Sequence, residues 1–177
     1  LDSAPDISNI DVTPTGYSTF VYDSQGNQTA KLVSTDSNRI PVTLDMVPKD
    51  LQHAFVAIED GRFYQHPGID MQGILRAMVI GVTSGHFSEG ASTITQQLIK
   101  NNVFPDFVNE TKYEKIERKL QEQYLAIQIE KMLDKDSILE SYMNTINLGQ
   151  NTLGVQAAAN RYFRKDVSEL TLSECAT

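Results

Sequence analysis

Ala57-Ile58-Glu59-Asp60-Gly61-Arg62-Phe63-Tyr64-Gln65-His66-Pro67-Gly68 puts an acidic pair at the end of an apolar helical run, then a loop of Gly, Arg, aromatic and His residues. Upstream, Leu51, Phe55 and Ile58 recur at i, i+4 and i+7, which predicts a helix from Lys49 to Asp60 that stops at Gly61. Downstream, Gly90-Ala91-Ser92-Thr93-Ile94-Thr95-Gln96-Gln97 opens another helix, with Thr93 and Gln96 spaced as a capping box. The two stretches describe a carboxylate at the mouth of a cleft, opposite a helix N-terminus suited to a phosphate.

The remaining composition narrows the classes. A chain of 177 residues with 40% apolar content can bury a sizeable core as one domain with a small appendage. Its net charge of −8 argues against a nucleic-acid partner. The single cysteine, Cys175, excludes an internal disulfide and a multi-cysteine zinc site, and is expected to be a small core residue. His53, His66 and His86 lack metal-ligand spacing. No apolar run is long enough to span a bilayer.

Along the chain, residues 1–15 read as a linker. Residues 16–45 read as a β-hairpin appendage: strands near 18–22 and 29–33, and a third short strand at Ile40–Leu44. Residues 46–177 read as a helical domain, with helices near 49–60, 70–82, 93–100, 111–133, 137–147 and 154–162, and another starting at Ser168. In the long helix, Ile116, Leu120, Tyr124 and Ile127 are expected to face inward. Tyr162 and Phe163 are expected in the core, with Lys165 outside. Gly73 to Val82 is apolar almost all round, which fits a buried helix and is too short to span a bilayer.

Glu59 is the candidate general base. Partial burial and the negative end of its helix dipole would both make its carboxylate more basic, as a general base needs. Asp60 is expected to pair with Arg62, and Arg62 is also a candidate substrate contact. Phe63 and His66 read as packing and loop-fixing residues. The second block offers backbone N–H groups and the side chains of Ser92, Thr93, Thr95, Gln96 and Gln97 to a pyrophosphate or sugar hydroxyls, and Lys100 adds a cation. Lys115, Arg118, Lys119 and Glu122 share one helix face, which on spacing alone is a solvated, salt-bridged face.

These blocks, in this order, resemble the glycosyltransferase module of class A penicillin-binding proteins and of monofunctional peptidoglycan glycosyltransferases. Arg118-Lys119-Leu120-Gln121-Glu122 is similar to that family's third motif, Lys135 to Asn144 to its fourth, and Ala157 to Lys165 to its fifth. The resemblance runs from about Gly16 to the last residue, and five motifs in order are specific where any one alone is weak. It implies a mainly α, lysozyme-like fold, with Phe63, His66, Gly68 and Asn144 as structural support. The activity it implies is polymerisation of lipid II into β-1,4-linked glycan strands with release of undecaprenyl pyrophosphate and inversion at the donor carbon. It makes Glu59 and Glu122 the essential acids. Asp60, Arg62, Ser92, Thr93, Thr95, Gln96, Gln97, Lys100, Arg118 and Lys119 would contact substrate. It requires no cofactor with certainty and allows a divalent cation, Mg or Mn, at Glu122. The sequence departs from the family where an Arg often precedes the Arg-Lys pair: that position is Glu114, with Lys112 and Lys115 as candidate replacements.

The partners implied are lipid II, the growing glycan, the bacterial plasma membrane and other cell-wall synthesis or division proteins. For Gly73 to Val82 the resemblance implies, instead of a buried helix, a lobe that dips into the membrane surface. The place implied is the extracytoplasmic face of that membrane, held by an N-terminal transmembrane helix absent from this chain. A C-terminally truncated module is expected, since Thr177 falls inside a predicted helix. A lytic muramidase and a non-catalytic cell-wall scaffold are the other classes. The first predicts shortening of finished glycan; the second needs neither Glu59 nor Glu122.

Overall fold

A computed structural model describes residues 12, 19–22, 25, 28–32, 39–84, 90–104, 110–150 and 152–177. The architecture is mainly α, consistent with the lysozyme-like module. A small antiparallel hairpin, β1 (Thr19–Tyr22) and β2 (Gln28–Leu32), pairs Thr19 with Leu32 and carries a register shift between Val21 and Tyr22. Of the stretch 1–15, all but Val12 lies outside the described residues, and Val12 is buried.

The third strand expected at Ile40–Leu44 is not formed. Val42 instead pairs with a side chain: its N–H donates to Asn144 Oδ1 at 2.9 Å, and its carbonyl accepts from Asn144 Nδ2 at 2.8 Å. One buried amide thus does what a neighbouring strand would do, and Leu44–Met46 turns away as a 3-10 segment.

The helical body comprises α1 (Lys49–Glu59), α2 (Met71–Ser84), α3 (Ile94–Val103), α4 (Lys112–Met132) and α5 (Lys135–Thr145), then α6 (Val155–Ala158), a turn of π-helix at Ala159–Phe163 and α7 (Leu172–Cys175). α3 is the central element. Its Ile94, Leu98 and Ile99 are fully buried against Leu125 and Ala126 of α4 and against Ile138, Leu139 and Tyr142 of α5. These are the i, i+4 contacts of an apolar stripe. Cys175 is buried in the same core. The helix expected from Ser168 is split, a 3-10 turn at Val167–Glu169 preceding α7. Tyr162 is exposed rather than in the core, because its hydroxyl reaches out to the Leu148 carbonyl at 2.8 Å. Lys165 is half-buried, paired with Glu174.

α4 packs on a different face from the one its apolar residues predict. Ile116 is 61% exposed, and Leu120 and Tyr124 are also exposed, whereas Arg118, Glu122, Leu125 and Ile129 are buried. Those four sit at i, i+4, i+7 and i+11, a proper inward stripe. Its C-terminal half is apolar and its N-terminal half ionic. The charges are tolerated there because they neutralise one another. α2 likewise turns Met71, Leu75, Met78, Val79, Ile80 and Val82 outward. No described helix is long and apolar enough to cross a membrane.

Candidate active site

Glu59 is the last residue of α1. The helix entrance is fastened by Gln52, whose amide donates to the Leu44 and Val47 carbonyls at 2.9 Å each. The helix ends when Asp60 leaves helical geometry and returns its N–H to the Val56 carbonyl. The half-buried Glu59 carboxylate accepts from Gln97 Nε2 at 3.0 Å.

Asp60 does not pair with Arg62. Its buried carboxylate takes His66 Nε2 at 3.0 Å and the Ile94 N–H at 3.1 Å. His66 Nδ1 accepts from the Gly68 N–H at 3.2 Å, so Nε2 carries the proton given to Asp60. Arg62 pairs with Asp70 at 2.5 Å instead. Burial alone would raise the Asp70 carboxyl, but the Gly73 N–H and the Arg62 guanidinium together hold it below its ordinary value. Gly68, at φ +92°, passes so close to α4 that a Cβ would sit 2.7 Å from the Ala126 carbonyl, and Thr93 Oγ1 donates to its own carbonyl at 2.7 Å. Below this loop, Lys135 Nζ donates to the His66 carbonyl, lies 4.4 Å from the Phe63 ring centroid and pairs with Glu130, which also accepts from Thr95 Oγ1. Phe63 is fully buried.

The N-terminus of α3 is already filled by the protein. Thr93 and Gln96 form the reciprocal capping box, and the Asp60 carboxylate takes the Ile94 N–H. Thr93, Thr95 and Gln96 are buried in these contacts. Of the second block, Ser92 and Gln97 point to the cleft side, Ser92 accepting from Lys119 Nζ at 3.3 Å.

A cluster of charges flanks Ser92. Arg118 donates through Nε to Glu110 at 2.6 Å and through a terminal nitrogen to Glu122, and Lys119 Nζ meets the other Glu122 oxygen at 2.8 Å. Glu122 is 0% exposed and Arg118 is 6% exposed, so these two are internal, while Lys115 on the same expected face is exposed and Lys119 half-buried. The Arg118 hydrogen bond, with the charge of Lys100 nearby, holds the Glu110 carboxyl below its ordinary range, and Glu110 in turn raises Arg118. Glu114, at the place of the family Arg, closes the Thr111 capping box that starts α4. Glu122 does not fit a divalent cation: both its oxygens accept from cations, and no group of three or more His, Cys, Asp or Glu able to hold a metal occurs among the described residues.

Two cavities meet at Glu59. One, about 300 Å³, is polar and is lined by Glu59, Asp60, Arg62, Asp70, Arg76, Ser92 and Thr93 among others. The other, about 540 Å³, is mostly apolar and is lined by Phe55, Ile58, Glu59, Leu148, Tyr162, Leu170 and Cys175 among others. Arg76 in the polar cavity is a residue the sequence marks only as a lone Arg in the largely apolar run of α2.

A family model described as transglycosylase matches residues 25–177. Penicillin-binding protein 1A of Clostridium botulinum (strain Langeland) is 44% identical over 180 residues, covering 99% of this chain and 21% of that protein. Penicillin-binding protein 1A of Escherichia coli (strain K12) is 47% identical over 88% of this chain and 17% of its own length. That of Haemophilus influenzae is 50% identical over 80% of this chain and 16% of its own. The chain thus spans about a fifth of the length of these curated relatives. The matched span takes in Glu59, the Gln97 amide that meets it and the Arg118–Glu122 cluster, and on that basis the chain belongs to the transglycosylase family.

Proposed function

We propose that this chain polymerises lipid II into β-1,4-linked glycan. Glu59 takes the proton of the acceptor's GlcNAc 4-hydroxyl. That oxygen forms a bond to the anomeric carbon of the donor MurNAc from the face opposite the leaving group, and undecaprenyl pyrophosphate departs with the electrons of the broken bond. The α-linked donor becomes a β-link, so the transfer is inverting. The observation carrying this reading is the position of Glu59 at the meeting of a polar, arginine-bearing cavity and an apolar one. A general base needs access to the hydroxyl, and the departing pyrophosphate needs fixed positive charge rather than a proton donor.

Lys119, bonded to Ser92 at the polar cavity, heads the pyrophosphate side, with Lys100 and the buried Arg118 behind it as positive charge, and Arg62 and Arg76 line the cavity. Glu122 keeps Arg118 and Lys119 together. No step is routed through a metal ion. The outward apolar side of α2 supports contact with the surface of the plasma membrane, where a lipid-linked substrate is presented, and hence work at its extracytoplasmic face. The lytic muramidase reading needs a second carboxylate in the cleft. Asp60, Asp70 and Glu174, the other acids lining the two cavities, and Glu122 are each engaged by partners, which disfavours it.

The test is incubation of the protein with labelled lipid II, then muramidase digestion of the products. Formation of a polymer that the muramidase dissolves is expected. Shortening of finished glycan, with no polymer formed, would contradict the proposal.

A further inference from the structure

A glutamine amide has a donating end and an accepting end, and its neighbours decide which way it points. An ionised carboxylate only accepts, so Gln97 must turn Nε2 toward Glu59, where it donates to Oε2 at 3.0 Å. Gln97 Oε1 then points to Tyr142, whose hydroxyl donates to it at 3.2 Å. With the amide reversed, two oxygens would face each other at Glu59. Burial, and then the charge of Glu59, push the Tyr142 hydroxyl up from its ordinary value, so it keeps its proton and remains a donor. Tyr142 is fully buried, and its ring meets Phe55 edge-on at 6.0 Å, one turn before Glu59 on α1. The same side chain therefore braces the helix that carries Glu59 and the amide that holds its carboxylate.

We propose that Tyr142 is a positioning residue of the transfer reaction: its hydroxyl fixes the Gln97 amide, and that amide holds Glu59 Oε2, leaving the other carboxylate oxygen for the incoming proton. This rests on Glu59 being the general base. Reading α5 as a packing helix hides the role, because the ring of Tyr142 does belong to the core; only its oxygen has a second use.

The test uses Tyr142→Phe, Gln97→Met and the double variant in the protein as the cell makes it, with labelled lipid II as substrate. Tyr142→Phe keeps the ring and removes only the donor. Its kcat should fall about tenfold, equivalent to about 1.4 kcal/mol, while KM and the melting temperature stay near those of the parent. Once Gln97 is Met, adding Tyr142→Phe should change kcat no further, since the two residues act as one chain. A purely structural Tyr142 would instead lower the melting temperature and keep its full penalty in the Gln97→Met background. If Tyr142→Phe does not fold, Gln97→Met alone should still show the drop in kcat, and an unchanged kcat there overturns the inference. Glu59→Gln in the same assay separates the two claims. Turnover surviving in Glu59→Gln overturns the base assignment; an inactive Glu59→Gln beside a Tyr142→Phe with parental kcat overturns the positioning role alone.

Discussion

The two glutamates that the family motifs single out sit in opposite environments. Glu59 is half-buried, borders two cavities and accepts from a neutral amide. Glu122 is fully buried and has Arg118 on one oxygen and Lys119 on the other. Both Glu122 oxygens are thus occupied by cations and closed to solvent. Glu59 has one neutral donor and borders open space that a hydroxyl can enter. On the proposed reading the same residue type is a reagent at one site and a structural counter-ion at the other, and its neighbours decide which.

If Glu122 is a counter-ion, breaking its cluster should cost stability. Arg118→Ala leaves Glu110 and a buried Glu122 short of a partner, and should destabilise by about 3–5 kcal/mol in urea unfolding. The outer cation, Lys119, has a side chain 36% exposed, so water can partly replace it and Lys119→Ala should cost less than Arg118→Ala. Equal losses from the two would break the distinction between the inner and the outer cation of the cluster.

The Glu59 side is held by backbone fit as well as by charge. Gly68→Ala would drive a Cβ into the Ala126 carbonyl at 2.7 Å and strain a positive φ, so a loss of about 1–3 kcal/mol is expected from thermal melts. Thr93→Ala removes the cap of α3 together with the bond to the Gly68 carbonyl and should cost about 1 kcal/mol. The smallest effect concerns acid. The Asp70 carboxyl is held below its ordinary value, so its contribution is complete above about pH 4 and is lost as pH falls through the lowered value. Arg62→Ala should move the Asp70 titration upward in an NMR pH series; an unmoved titration would show that the Gly73 N–H alone holds it.

The helices were legible because their signals are local. Thr93 and Gln96 lie three residues apart and form the predicted box; of the α1 stripe Leu51 is buried and Phe55 half-buried, but Ile58 is 77% exposed at the edge of the apolar cavity. Thr111 and Glu114 form the same box at the start of α4, a signal available in the sequence, yet Glu114 was read only as a departure from the family. The face of α4 was misread because periodicity counts apolar side chains. Arg118 and Glu122 continue the buried stripe of Leu125 and Ile129 in ionic form, which no hydropathy pattern displays. Asp60 filling the N-terminus of α3, Asn144 standing in for a strand at Val42 and Tyr142 reaching Gln97 span 34, 102 and 45 residues. Such contacts appear only once the core has brought their elements together. They explain why the phosphate-ready helix start turned out to be capped by the chain itself.

The most direct test of the central claim measures lipid II turnover per folded molecule, with a melting curve, for Glu59→Gln and Glu122→Gln side by side. Glu59→Gln keeps size and polarity and removes the base, so turnover should fall by about 10²–10⁴-fold with the melting temperature unchanged. Glu122→Gln should lower the melting temperature, because Arg118 and Lys119 lose their counter-charge. Near-parental turnover in a well-folded Glu59→Gln would contradict the account.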